Sequence, residues 1–181
     1  MRRSLWHSFQ QMAASLFPAR YTWPAMDIKL GDRRLHLAGS IHMGTRDMQP
    51  LPAGLLRQLS KADALIVEAD ITQGASPFSN DDDYAPLAMR LDAEVLLRLD
   101  ALCDELSLSM AVFDTLPFWQ IALMLQAQQA QRLGLRPQYG IDYQLLMAAK
   151  AANKRIIELE GPETQIALLK SLPQQGLSLL L

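Results

Sequence analysis

The chain has 181 residues, half of them hydrophobic and a fifth charged, with a formal net charge of -2. That length fits one domain with a substantial core, and the near-neutral balance gives nucleic acid no electrostatic footprint. A single cysteine, Cys103, rules out an intrachain disulfide and leaves an oxidising compartment without support.

In chain order, "MRRSLWHSFQQMAASLF" opens with Arg2 and Arg3, but His7, Gln10 and Gln11 interrupt its apolar stretch. The remaining run, Met12 to Phe17, is too short for the hydrophobic region of a secretory signal. Leu5, Phe9, Met12 and Leu16 fall on one side of a helix, so residues 1–20 are predicted as an amphipathic helix, docked on the domain by default or touching a membrane surface. No stretch is long and apolar enough to span a bilayer, and the cytoplasm is the compartment this favours.

"MDIKL" and "RRLHLAGSI" flank Gly31-Asp32, which predicts a type II′ hairpin, with His36 on the face opposite Leu37. After Gly44 a loop leads to Pro52, which opens a helix over "AGLLRQLSKA". Ala64 to Val67 read as a parallel strand covered on both faces. A Gly, Pro, Ser and Asp-rich loop follows. Two helices then run over "LDAEVLLRLDALCDELSLS" and "PFWQIALMLQAQQAQRLG", the second opened by Pro117 and stopped by Gly134. Cys103 lies in the first as core rather than nucleophile, and the apolar start of the second (Phe118, Trp119, Ile121, Met124) reads as core before it reads as a peptide groove. "IDYQLLMAAKAANK" is a helix that Asp142 can cap. "RIIELE" is a short strand, and Gly161-Pro162 opens a last helix. Strands alternating with helices predict an α/β fold with a mixed, partly parallel sheet flanked by helices.

The polar residues gather at strand ends. One candidate strand ends in His42, the next in Glu68 and Asp70, the third in Glu158 and Glu160. If these strands are parallel neighbours, their C-terminal ends share the rim where open α/β sheets bind ligands, and a histidine with carboxylates there suits a metal or acid–base site. Simpler roles compete: Asp70 as an Asx-type loop initiator, Glu158 as a solvated charge, Asp142 as a helix cap, and His7 and His36 as bystanders without polar company. Gly39 lets backbone or ligand approach at the strand end, and Gly44 lets the chain turn away.

The ordered set "GSIHMG", "LIVEAD" and "YGIDYQLLMAAKAANKRIIELEGPETQIALL" resembles the TraB/PrgY/GumN family, related to the Tiki proteins, and most closely its enterobacterial, GumN-like branch. The resemblance covers the chain from about Tyr21 onward. It implies an α/β core of the erythromycin-esterase-like/ChaN-like/Tiki superfamily and, from the Tiki members, divalent-metal-dependent peptidase chemistry. The family's first G-x-x-H histidine falls on His42, its strand-end glutamate on Glu68, its later glutamate on Glu160 and a nearby glutamine on Gln165. His42, Glu68 and Glu160 are thus the candidate catalytic and metal residues, with Mn²⁺, Co²⁺ or Zn²⁺ as the fitting ions and a peptide or small molecule as substrate. No histidine follows His42, so the family's second G-x-x-H has no counterpart here. Residues 21–181 therefore read as the N-terminal portion of a TraB/GumN-like domain, with a metal-independent hydrolase using His42 and Glu68, or a peptide-sequestering protein, as the alternatives.

Overall fold

The computed structural model describes residues 22–72 and 84–171; the predicted N-terminal helix lies outside them. Strands β1 (Ala25–Leu30) and β2 (Arg33–Ala38) form the predicted antiparallel hairpin. Gly31 takes a φ of 62° while Asp32 stays out of the left-handed region, the φ pattern of a type II′ turn. A 3₁₀ turn (Arg46–Met48) precedes helix α1 (Ala53–Lys61), entered from Pro52, with Leu55 and Leu59 buried. Strand β3 (Ala64–Val67) pairs in parallel with β4 (Arg155–Glu158).

Between these come helices α2 (Leu87–Arg90), α3 (Ala93–Leu106) and α4 (Phe118–Arg132), then α5 (Ile141–Ala151) ahead of β4 and α6 (Gly161–Ser171) after it. Asp92 caps α3 by accepting from Val95 N at 2.9 Å, and Gly134 follows α4 at φ 83°. The mixed α/β fold is as expected. Its strands, however, form two separate two-stranded sheets, one antiparallel and one parallel. β2 pairs with β1, so the strand leading to His42 is not a neighbour of β3 in a common sheet.

Two compact units divide the described residues: 22–72 with 135–159, and 84–134 with 160–171. In the first, Leu51, Leu55, Leu59, Ile141, Leu145 and Ala149 form the core, with Trp23, Ala38, Leu65 and Ile156 packed against it. α5 covers one face of the parallel pair, while Ile66 on β3 is 46% exposed. The expectation of a strand covered on both faces fails there, because a two-stranded sheet with helices on one side leaves alternate residues outward.

The second unit is helical. Leu87, Leu99, Cys103, Leu106, Phe113, Phe118, Ile121 and Leu125 make its core. Cys103 is buried, and burial pushes its thiol above the usual range, which fits core rather than nucleophile. Phe118 and Ile121 are buried in that cluster too, so the apolar start of α4 is packing and not an open groove.

Candidate active site

Residues 39–44, the "GSIHMG" stretch after β2, lie along residues 136–142, which lead into α5. The contact is backbone to backbone. Gly44 and Arg136 exchange N–H···O bonds at 3.1 and 2.8 Å, and Ile141 N donates to the Ile41 carbonyl at 3.0 Å. Glycine makes this proximity possible at both ends. A Cβ on Gly44 would stand 2.3 Å from the Tyr139 carbonyl oxygen, and one on Gly140 would stand 2.4 Å from that of His42. Gly39 does a related job earlier: its N–H donates to Pro24 O at 2.8 Å, and a Cβ there would meet the Pro24 ring. Gln144 Nε2 ties the neighbourhood to the carbonyls of Tyr139 (3.0 Å) and Met48 (3.2 Å).

This docking delivers His42 to the first turn of α5. Its Nδ1–H donates to Asp142 Oδ2, while Asp142 Oδ1 accepts from the Tyr143 N–H at 2.8 Å. The His42 side chain is 74% exposed and that of Asp142 13%, so the carboxylate is held inside and the imidazole faces outward. The His42 pKa is raised above its usual value, first by the hydrogen bond to Asp142, against an opposing desolvation, with the charges of Asp142 and then Glu68 adding to the rise. Glu68, just past β3 and exposed, is thus close enough for its charge to act on His42. Glu160 lies two residues beyond β4, in the second unit, and its carbonyl accepts from the Thr164 hydroxyl at 2.8 Å.

Asp142 was legible as a cap, but Gly140 takes the N-cap position of α5 and Asp142 orients the histidine instead. The signal available was its place in "YGID", in the first turn of a helix behind a glycine.

A second polar cluster sits at the end of β3. Asp70, with 1% of its side chain exposed, pairs with Lys150 Nζ at 2.9 Å. Asp70 Oδ1 accepts from the Thr72 N–H at 3.0 Å and the Thr72 hydroxyl at 2.5 Å, which is the expected Asx turn. Lys150 also donates to the Thr72 hydroxyl. Glu158 is engaged as well, accepting from the Asp70 N–H at 2.9 Å. Lys150 and Thr72 were not singled out from sequence; a lysine within "AAKAANK" carries no pattern that separates it from a solvated one.

His36 is a correction. It stands directly opposite Asp27 across the hairpin, its Nδ1 2.7 Å from Asp27 Oδ1, and its Nε2 faces the Trp23 indole N–H at 3.5 Å. Its polar company comes from across the turn. His7 lies outside the described residues.

Among the described residues no group of three or more His, Cys, Asp or Glu side chains converges in a way that would hold a metal ion. Among the described residues, His42 and Glu68 are fewer than the three protein donors of a usual catalytic zinc site. No described helix is long and apolar enough to cross a membrane.

Residues 25–180 match the model of the TraB/PrgY/gumN family. The uncharacterized protein YbaP of Escherichia coli (strain K12) is 55% identical over 168 residues, which is 92% of this chain and 64% of that protein. YbaP of Shigella flexneri matches to the same extent. The chain thus spans less than two thirds of the length of these relatives, and no solved structure matches it. With the match running from the first strand through the last described helix, the chain belongs to the TraB/PrgY/gumN family.

Proposed function

We propose that this chain carries the acid–base centre of a hydrolase acting on peptide or ester carbonyls, with His42 as general base and Asp142 as the residue that holds it. The carrying observation is the His42–Asp142 hydrogen bond on an outward-facing ring. With Nδ1–H given to Asp142, the neutral ring presents its Nε2 lone pair to solvent. Nε2 takes a proton from water as the oxygen attacks the substrate carbonyl. The imidazolium so formed is stabilised by Asp142, with a smaller contribution from the Glu68 charge, and then returns its proton to the leaving group.

The test is turnover by the full chain of chromogenic peptide amides and aryl esters, with and without exhaustive chelation. Activity that survives chelation and falls about 10²- to 10⁴-fold in His42→Ala supports the reading. Asp142→Asn lowers the rate and moves the pH midpoint of the remaining activity downward, because the carboxylate is the main cause of the raised His42 pKa. Activity that chelation removes and Mn²⁺, Co²⁺ or Zn²⁺ restores assigns His42 and Glu68 to the metal-dependent hydrolase that the family likeness suggests. Turnover indifferent to His42 overturns both.

A further inference from the structure

Strand β3 passes into a short segment that is pinned at two places. At its start the Val67 carbonyl accepts from the Leu159 N–H at 2.9 Å. Further on the Asp70 N–H donates to Glu158 Oε2 at 2.9 Å, so the side chain of the last residue of β4 continues the pairing beyond the strands. Asp70 then turns its carboxylate inward, onto Lys150 Nζ at 2.9 Å. Lys150 also donates to the Thr72 hydroxyl, so one ammonium grips the segment by two side chains. Between the pins lie Glu68 and Ala69. Ala69 is buried and Glu68 exposed, so the residue that the pinned segment presents to solvent is Glu68.

The grip comes from a helix that already serves the histidine. Asp142, in the first turn of α5, holds the His42 ring, and Lys150 stands in the last turn of the same helix, about 12 Å further along its axis. One helix thus sets where the imidazole and the segment bearing Glu68 lie relative to each other. The Glu68 charge reaches His42, and between exposed groups such a reach fades over about 10 Å in ordinary salt, so Glu68 supports the imidazolium only while its segment is held. Stability alone does not call for ions at Asp70 and Lys150, since a well-packed apolar pair of similar volume is often as stable.

On the reading of His42 as general base, we propose that Lys150 is a positioning residue of that centre, holding Glu68 within electrostatic reach of the imidazole through Asp70 and Thr72. Loss of Lys150 frees the segment, Glu68 moves off, and the step in which His42 is charged slows while substrate binding is unchanged. The test joins a placement readout to a kinetic one in the full chain. For placement, a nitroxide is attached at Glu68→Cys in a Cys103→Ala chain, and its paramagnetic broadening of the His42 and His36 ring protons is read by NMR. The expected result is strong broadening of His42 that Lys150→Met weakens severalfold and Lys150→Arg keeps, with His36 unaltered. Asp70→Asn/Lys150→Met removes both charges, keeps the Asx turn and is expected to weaken the broadening in the same way; it decides the matter where Lys150→Met does not fold. For kinetics, Lys150→Met and Glu68→Gln lower kcat by a similar factor with KM unchanged, and the two together lower it no further than either one. Broadening of His42 that survives loss of Lys150 overturns the proposal. So do kinetic losses that multiply in the double variant, or a His36 signal that changes in step with His42, which marks general loosening of the unit. Turnover indifferent to His42 overturns the general-base reading and with it the catalytic part of Lys150, whatever the broadening. Turnover that depends on His42, with both readouts untouched by Lys150→Met, overturns the positioning role alone.

Discussion

The two units of this protein reach order by different means. The unit of residues 84–134 and 160–171 has a helical core of leucines, phenylalanines, an isoleucine and a cysteine. Its notable charge there, Arg90, lies over the rings of Tyr84 and Phe118 at 5.5 and 4.8 Å. The unit of residues 22–72 and 135–159 also has an apolar core, but long-range polar contacts fasten it: Asp70 to Lys150, Glu158 to the Asp70 N–H, and His42 to Asp142. The helical unit is specified by side-chain period together with polar contacts 22–27 positions apart in sequence, such as Asp114 accepting from the Leu87 N–H and Arg132 donating to Glu105. The sheet-bearing unit joins polar pairs much farther apart, 88 positions for Glu158 and Asp70 and 100 for His42 and Asp142.

If that contrast is right, the largest loss follows from emptying the helical core. Phe113 is fully buried, and Phe113→Ala is expected to cost about 3–5 kcal/mol in lost transfer energy plus cavity, read from the urea midpoint. Next comes the other unit's buried pair. Lys150→Met leaves the Asp70 carboxylate inside without its cation, while Thr72 still donates to it. Because Lys150 is 32% exposed, the expected cost is about 3 kcal/mol, at the low end for a broken buried pair. Asp70→Asn in the same chain should recover part of it, since the amide oxygen keeps the Asx turn and no charge remains. A loss as large in the double variant as in Lys150→Met would show that the pair is not the source.

These effects also separate what the sequence made legible from what it did not. The helices α3, α4 and α5 and the hairpin turn could be read because their determinants are local: an apolar period in α3, Pro117 and Gly134 at either end of α4, Gly31 at a turn. The four-residue α2 was missed because Leu87–Arg90 is too short to show a period. The site was half legible. His42 was expected to close a strand, but β2 stops at Ala38 and His42 stands four residues beyond it; Glu68 does act on it electrostatically. Its direct partner Asp142 lies 100 positions away, and the contact that joins them is made by backbone atoms, which leave only glycines as a trace. Reasoning from strand ends along one rim brought His42 toward Glu68 for an incomplete reason, because β2 pairs only with β1 in the described sheets.

That backbone contact sets the next prediction. Gly140→Ala places a Cβ against the His42 and Ile41 carbonyls, neither of which is a flexible side-chain tip. The two segments must part, at about 1–3 kcal/mol by analogy with overpacked sites. The variant should lose His42-dependent turnover while α5, which starts one residue later, keeps its far-ultraviolet circular dichroism. Gly134→Ala is the matched control, since nothing lies within 4 Å of its Cβ position and only its φ of 83° is strained; it should lose stability and keep turnover.

The smallest effect concerns pH. The folded-state pKa of His42 is raised by its bond to Asp142, so the folded state binds the proton more tightly than the unfolded chain does. The linked stability is fully present below the unfolded histidine value near pH 6.5 and is lost as pH rises through the higher folded value. The ring is 74% exposed, so solvent screening holds the contribution to the about 0–1 kcal/mol of exposed ion pairs. The parent should therefore lose slightly more stability than Asp142→Asn between pH 6 and 8, and the difference should shrink in high salt. His36, the other described histidine with a carboxylate neighbour, supplies the internal comparison. Replacing it with glutamine removes the Asp27 pair and should leave this difference between parent and Asp142→Asn intact, because the extra stability on the acid side belongs to His42 and its bond to α5.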